Sequence, residues 1–234
     1  EVIARIVAAL RKHPFSKLLE IGPGGGALTR HLVQLKGVDF KCVEIDEEKV
    51  SWILSMFPVL KGRIIHQDFL TMEQPFNEPF TIIGNFPYNI STQIVFRILD
   101  WKDIVETTIG MFQKEVAERI AAREGSKIYG VISVLVQAFF DVEYLFEVEQ
   151  EAFRPPPKVK SAVIRLTPRS KPMEMKSERA FQVLVKTAFN QRRKTLRNAV
   201  RSLFDPVQLE NKLFNLRAEQ LSVEQFAALT FKMK

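Results

Sequence analysis

Cysteine is almost absent from this chain: Cys42 is the only one. An internal disulfide is thereby excluded, and a cytoplasmic, reducing environment is expected. Long apolar runs are missing too. No stretch reaches the roughly 18 consecutive apolar residues that a membrane-spanning helix needs, and nothing at the start has the layout of a signal peptide. Histidine is scarce, and His13, His31 and His66 lack the spacing of metal ligands, so no metal site is expected. There is no nucleophile elbow and no Ser/His/Asp arrangement. Whatever chemistry the chain performs is expected to run without a protein nucleophile.

What is present suits a folded α/β protein. The 234 residues are 46% hydrophobic, enough for one large domain or one domain with a small second one. Glu1–Leu10 already reads as an amphipathic helix with no initiator Met before it, so further residues are expected upstream. The net charge of +7 is uneven. Arg154–Arg201 carries 14 Lys and Arg against 2 Asp and Glu, a balance of +12, whereas Glu1–Phe153 carries 16 against 21. A concentrated positive stretch suits a polyanion, although solvated helix faces produce the same pattern.

Short apolar runs alternate with helical patterns through the first two-thirds. Strands are expected at Lys17–Ile21, Phe40–Ile45, Arg63–His66, Phe80–Ile83, Val105–Met111, Val142–Val148 and Ser161–Leu166. Helices are expected at Ala27–Leu35, Glu47–Phe57, Thr92–Leu99, Lys114–Arg123 and Tyr129–Phe139. That alternation predicts a mainly parallel sheet, with one of the two late strands antiparallel. Pro168–Pro172 reads as a linker. After it the pattern is helical, at Glu178–Phe189, Arg193–Phe204, Val207–Leu213 and Val223–Thr230, where Ser222 and Gln225 form a capping box. The expected organisation is a first domain over 1–171 and a small all-α domain over 172–234.

Leu18-Leu19-Glu20-Ile21-Gly22-Pro23-Gly24-Gly25-Gly26 is a strand entering a glycine-rich turn before a helix. Such a turn lets backbone approach a ligand closely. Its spacing differs from the dinucleotide fingerprint, which argues against a nicotinamide-dependent oxidoreductase. Candidate ligand residues are Glu20, Gly22, Gly24 and Gly26. Two more acids follow successive strands. Glu44, in Val43-Glu44-Ile45-Asp46, can accept from ribose hydroxyls. Asp68 can accept from an adenine amine while Phe69 covers the ring. The carboxyl ends of strands are where open α/β sheets bind ligands.

Asn85-Phe86-Pro87-Tyr88 follows the fourth expected strand. The lone pair of an adenine N6 amine is delocalised into the ring, so a site that alkylates it must localise that pair and aim it. The Asn85 side-chain oxygen can accept one N6 hydrogen and the Phe86 carbonyl the other. Pro87 biases Phe86 to an extended conformation and removes a competing N–H. Tyr88 can stack on a flipped base. An ordinary turn capping the next helix would have the same sequence. Further on, Arg192, Arg193, Lys194, Arg197 and Arg201 are expected on one helix, with Arg193, Arg197 and Arg201 beside an apolar stripe and free for phosphates. Lys158 and Lys160 add to the RNA-binding candidates.

Taken together, Glu20–Gly24, Glu44–Asp46, Asp68–Leu70, Asn85–Thr92, Phe153–Val163 (Phe-Arg-Pro-Pro-Pro-Lys-Val-Lys-Ser-Ala-Val) and Phe189–Asn198 resemble the ribosomal RNA adenine N6,N6-dimethyltransferase family of the small-subunit type. The resemblance spans nearly the whole chain. It implies a Rossmann-like class I methyltransferase sheet, S-adenosyl-L-methionine as methyl donor, and cofactor contacts at Gly22, Glu44, Asp68 and Asn85, with Ile45 beside them. It implies that Phe153 closes the base pocket opposite Tyr88. It also implies the substrate, two adjacent adenosines in a hairpin near the 3′ end of small-subunit rRNA, and a role in maturation of the small ribosomal subunit; a monomer is expected. Two departures stand out. Phe86 occupies a position where the family usually has Leu, and the family's N-terminal Gln-Asn/His-Phe-Leu segment is not among these residues. Alternatives are a macrolide-resistance-type methyltransferase of the large subunit and a non-catalytic RNA-binding assembly factor on the same fold.

Overall fold

A computed structural model describes residues 1–234. Sixteen helices and strands carry the architecture. In chain order they are α1 (Val2–Leu10), β1 (Lys17–Ile21), α2 (Thr29–Leu32), β2 (Asp39–Glu44), α3 (Glu47–Met56), β3 (Ile64–His66), β4 (Phe80–Asn85) and α4 (Ser91–Asp100). They continue with β5 (Val105–Gln113), α5 (Lys114–Ala121), α6 (Val131–Gln137), β6 (Phe140–Val148), β7 (Ser161–Pro168), α7 (Glu178–Asn190), α8 (Leu196–Ala199) and α9 (Val223–Thr230). The strands form one seven-stranded sheet in the order β3-β2-β1-β4-β5-β7-β6. The first five pair in parallel, and β7 runs antiparallel to β5 with Ser161 opposite Gln113.

The central strands are apolar on both faces because helices cover both. Leu18, Leu19, Ile82 and Ile83 are fully buried, and α1, α2 and α3 contribute Ile6, Leu10, Leu32 and Ile53 to the core that holds Leu18 and Ile83. Strand order reverses between β1 and β4, which opens a crevice at their carboxyl ends. That reversal decides where a ligand can enter. No helix is long and apolar enough to cross a membrane.

Two compact units emerge from the contacts: Glu1–Ala117 with Glu143–Pro168, and Glu118–Val142 with Arg169–Lys234. The second therefore recruits α6 as well as the C-terminal helices. The chain divides within α5 and β6 rather than only at the proline-rich linker, because α6 packs on α7. Its core is aromatic: Phe204 meets Phe214 edge-on at 4.9 Å, and Phe189 bridges Tyr129 and Phe226.

Capping chemistry sets several boundaries. Ser222 Oγ accepts from Gln225 N while Gln225 Oε1 accepts from Ser222 N, which starts α9 where its capping box predicts. Asp46 caps α3 by accepting from Glu48 and Lys49 N–H. The expected helix Arg193–Phe204 does not form as one piece. Thr195 is extended (φ −62°, ψ 153°) and bridges Arg217, while Leu196 N donates to Leu216 O. This tertiary pairing removes Thr195 from a helical path, so only Leu196–Ala199 is α-helical and Arg201–Leu203 is a 3₁₀ turn. The expected Val207–Leu213 helix is likewise two 3₁₀ turns, and Ala27–Leu35 contracts to four residues.

Candidate active site

The carboxyl ends of β1, β2 and β4 enclose a cavity of about 720 Å³, within the usual range for a small-molecule site. Its walls include Glu20, Gly22, Gly24, Glu44, Ile45 and Asn85 from the sequence candidates. Gly22 and Gly24 have φ of +66° and +52°, a left-handed backbone that only glycine adopts without strain. Glu44 is buried, and its Oε1 accepts from the N–H groups of Ile45 and Asp46 at 3.0 and 3.1 Å. Oε1 is thereby fixed in place, and Oε2 is the oxygen left for a ligand.

Other candidates lie elsewhere. Gly26 (φ +81°) is off the cavity wall; a Cβ there would sit 2.7 Å from Phe57 Cε2. Its missing side chain serves the packing of α3 against the turn. Phe69 is buried with its ring edge-on to Trp101 at 5.2 Å, so its expected place over a ligand ring is taken by a core contact. Apolar burial outweighs stacking at an open site for that side chain. Asp68 stands beyond β3 with Oδ1 accepting from Leu70 N at 2.9 Å, and it too is outside the cavity wall. Conversely, the wall includes residues that periodicity did not single out: Val2, Ile3 and Ile6 of α1, Met111 of β5, Lys49 of α3, and Arg154. The amphipathic pattern of α1 is the one signal of this wall in the sequence, and it does not say which ligand or core the apolar face meets.

Glu20 is the more deeply buried of the two carboxyls on this wall. Burial pushes it up to about 8, only partly offset by Thr29 Oγ donating to Oε2 at 2.7 Å. Between the ordinary glutamate value of 4.5 and about 8, the folded chain holds one proton more than the unfolded chain at this position. Stability of the ligand-free protein is therefore expected to fall as pH rises through that window, because the unfolded state binds fewer protons there. Melting temperature measured from pH 5 to 9 should decline, and Glu20→Gln should flatten the decline. An unchanged slope in Glu20→Gln would rule out Glu20 as its source.

A second, more open pocket of about 270 Å³ is lined by Asn85, Phe86, Pro87, Tyr88, Phe153, Pro155 and Pro157. Asn85, Pro87 and Phe153 line both cavities. Phe86 is buried, its N–H donates to Met111 O at 3.1 Å, and its ring meets Phe112 edge-on at 5.1 Å. No backbone N–H of the surrounding turns donates to the Phe86 carbonyl. The ring fills space over two glycines: a Cβ on Gly84 would lie 2.8 Å from it, and one on Gly110 would lie 2.5 Å from it and 2.7 Å from Phe112. Both rings are buried. Gly110→Ala is expected to cost about 1–3 kcal/mol by overpacking and to displace Phe86 from its seat. A urea titration reading a loss below about 0.5 kcal/mol would contradict this.

The basic candidates separate. Lys158 is exposed beside Pro157, while Lys160 is paired with Glu149 at 2.8 Å. In the second unit, Arg192 donates to Lys127 O and Arg197 to Asn215 Oδ1 at 3.2 Å. Arg193, Lys194 and Arg201 are exposed. The expected single helical row at i, i+4, i+8 is not realised: Arg193 lies in the turn between α7 and α8, Arg197 on α8 and Arg201 in the 3₁₀ turn that follows, with the break at Thr195. No cluster of three or more His, Cys, Asp or Glu is placed to hold a metal.

Comparison with known proteins agrees with this geometry. The family model "Ribosomal RNA adenine dimethylase" matches residues 1–233. The chain is 47% identical over 234 residues to ribosomal RNA small subunit methyltransferase A of Cytophaga hutchinsonii, covering 98% of this chain and 91% of that one. It is 52% identical over 223 residues to the Bacteroides thetaiotaomicron protein of that name, covering 93% and 83%. Among solved structures, a dimethyladenosine transferase from Plasmodium falciparum shares the fold (TM-score 0.79, 23% identity, 96% and 92% covered). The 23S rRNA methyltransferase ErmE is similar at TM-score 0.72 and 26% identity (98% and 97% covered). The seven-stranded sheet is thus a Rossmann-like methyltransferase sheet, and the chain belongs to the ribosomal RNA adenine dimethylase family.

Proposed function

We infer that the chain uses S-adenosyl-L-methionine to dimethylate N6 of two adjacent adenosines in a hairpin near the 3′ end of small-subunit rRNA, as an enzyme of small-subunit maturation in the cytoplasm. One observation carries the chemistry. The large cavity at the strand ends and the open pocket meet at Asn85, Pro87 and Phe153. A donor in one and a base in the other would have their reacting atoms side by side.

The residues lining the large cavity suit that donor. Left-handed Gly22 and Gly24 admit it closely and Glu44 Oε2 is the acceptor for its ribose; Asp68, beyond β3 and outside that wall, is the acceptor proposed for its adenine amine. When bound, S-adenosyl-L-methionine supplies an electrophilic sulfonium methyl for in-line displacement. The protein's part is positioning and electrostatics. Asn85 Oδ1 and the Phe86 carbonyl accept the two N6 hydrogens, drawing the lone pair out of ring conjugation and toward the donor. Tyr88 and Phe153 hold the base between them. After one transfer a single N6 hydrogen remains for one of these acceptors, and the pocket must admit a methyl in place of the other. Substitutions that add bulk at Tyr88 or Phe153 are expected to stall at monomethyladenine.

Binding of the RNA backbone is assigned to Lys158, Lys160, Arg192, Arg193, Lys194, Arg197 and Arg201, which contact phosphates without reading sequence. The partner is the small subunit, and the acting form is a monomer. The triple proline Pro155–Pro157 and the Arg192–Arg197 run, together with relatives at about half identity named for the small subunit, favour this subunit over the large one. Transfer of labelled methyl to small subunits lacking the modification, compared with large subunits, tests the assignment. Label entering only the large subunit would overturn it.

A further inference from the structure

The base pocket has a support that the chemistry above does not use. Tyr88 Oη shares a short hydrogen bond with Ser161 Oγ, across 73 residues of sequence. Ser161 is fully buried and opens β7. At its other end Tyr88 is held by its backbone, since its carbonyl accepts from Ser91 Oγ at 3.2 Å. A phenylalanine would stack on a base as well as a tyrosine does, so stacking alone gives the hydroxyl no task.

The partner of that hydroxyl is informative. Ser161 lies where the opposite wall of the pocket, Phe153, Pro155 and Pro157, joins the sheet. That junction is anchored: Lys160 O accepts from Lys114 N at 2.9 Å, and Lys160 Nζ pairs with Glu149 at 2.8 Å. The Tyr88 hydroxyl therefore bonds one wall of the pocket to the fixed root of the other.

We propose that Ser161 is a positioning residue that sets the gap between the Tyr88 wall and the Phe153–Pro157 wall of the base pocket. The role rests on the methyl-transfer reading and matters most for the second methyl, when the base carries extra bulk and a loosened wall would let it re-seat off line. Ser161 lines neither cavity, so cofactor affinity should not depend on it.

Four variants test this: Ser161→Ala, Tyr88→Phe, the double variant and Ser161→Thr, each assayed on small subunits lacking the modification. Each single loss is expected to lower kcat/KM for RNA about three- to tenfold, the span of one hydrogen bond, and to raise the monomethyl share of the product. The double variant should be no worse than the poorer single one, because both losses remove the same bond. Ser161→Thr should restore transfer, and calorimetry should show unchanged cofactor affinity in all four. Additive losses, an unchanged product ratio in Ser161→Ala, or a loss that tracks cofactor affinity would each overturn the proposal. A wild-type chain that methylates while Ser161→Ala matches it refutes only this role; a wild-type chain that transfers nothing refutes the function itself.

Discussion

Asn85→Ala is expected to slow methyl transfer by about 10²–10³-fold, the scale seen when one preorganised hydrogen-bonding group is removed from an active site. The Asn85 side chain is exposed, at the end of β4, and borders both cavities. An exposed position of this kind contributes little to folding, within about 0.5 kcal/mol. Activity and stability should therefore part company: a large loss of rate with an unmoved melting temperature. In the proposed role Asn85 acts on the amine as it becomes a nucleophile, so the loss should fall on kcat as well as on kcat/KM. RNA binding, measured by filter retention on small subunits, should remain. A variant that methylates within about tenfold of wild type would remove Asn85 from the chemistry. If the variant also supports normal subunit assembly in cells, binding rather than methylation is the chain's main contribution there.

Glu44→Ala should weaken cofactor binding by about 10²–10³-fold. A carboxylate oxygen accepting from a hydroxyl makes a charge-assisted bond of about 1.5–3 kcal/mol, and a ribose offers two hydroxyls. Glu44 is prepared for this because Oε1 is already held by the Ile45 and Asp46 N–H groups. Glu44→Gln keeps an acceptor on that turn but loses the charge, so its deficit should be smaller, about tenfold. Calorimetry with S-adenosylmethionine and with its demethylated product should show equal weakening, since both carry the same ribose. At saturating donor kcat should recover, because uniform binding was removed rather than interaction with the transition state. Affinity within twofold of wild type in Glu44→Ala would place the ribose elsewhere.

The contrast between these two residues and Phe69 shows where local reasoning stopped. Glu44 and Asn85 are polar groups at strand ends, and strand ends in an open parallel sheet have one environment available, the crevice. Phe69 also follows a strand, but an apolar ring has two good destinations. The presence of Trp101, 32 residues away and itself packed against Phe80, sent it to the core. Gly26 is a similar case: its left-handed turn was readable from spacing, whereas the Phe57 and Ile53 side chains that need its missing Cβ come from a later helix.

The sequence by itself determined the alternation of strands and helices, the glycine turn, the acids at strand ends, the Asn-Phe-Pro-Tyr turn and the capping box of α9. Each depends on period, on backbone restriction or on hydrogen bonds within four residues, and those interactions travel with the chain. Tertiary structure alone decided four things. It broke the basic helix at Thr195 through a pairing with Arg217, and it drew Glu118–Val142 into the C-terminal unit. It placed α1 on the cavity wall, and it joined Tyr88 to Ser161. All four rest on contacts between residues far apart in sequence, whose partners no local window contains.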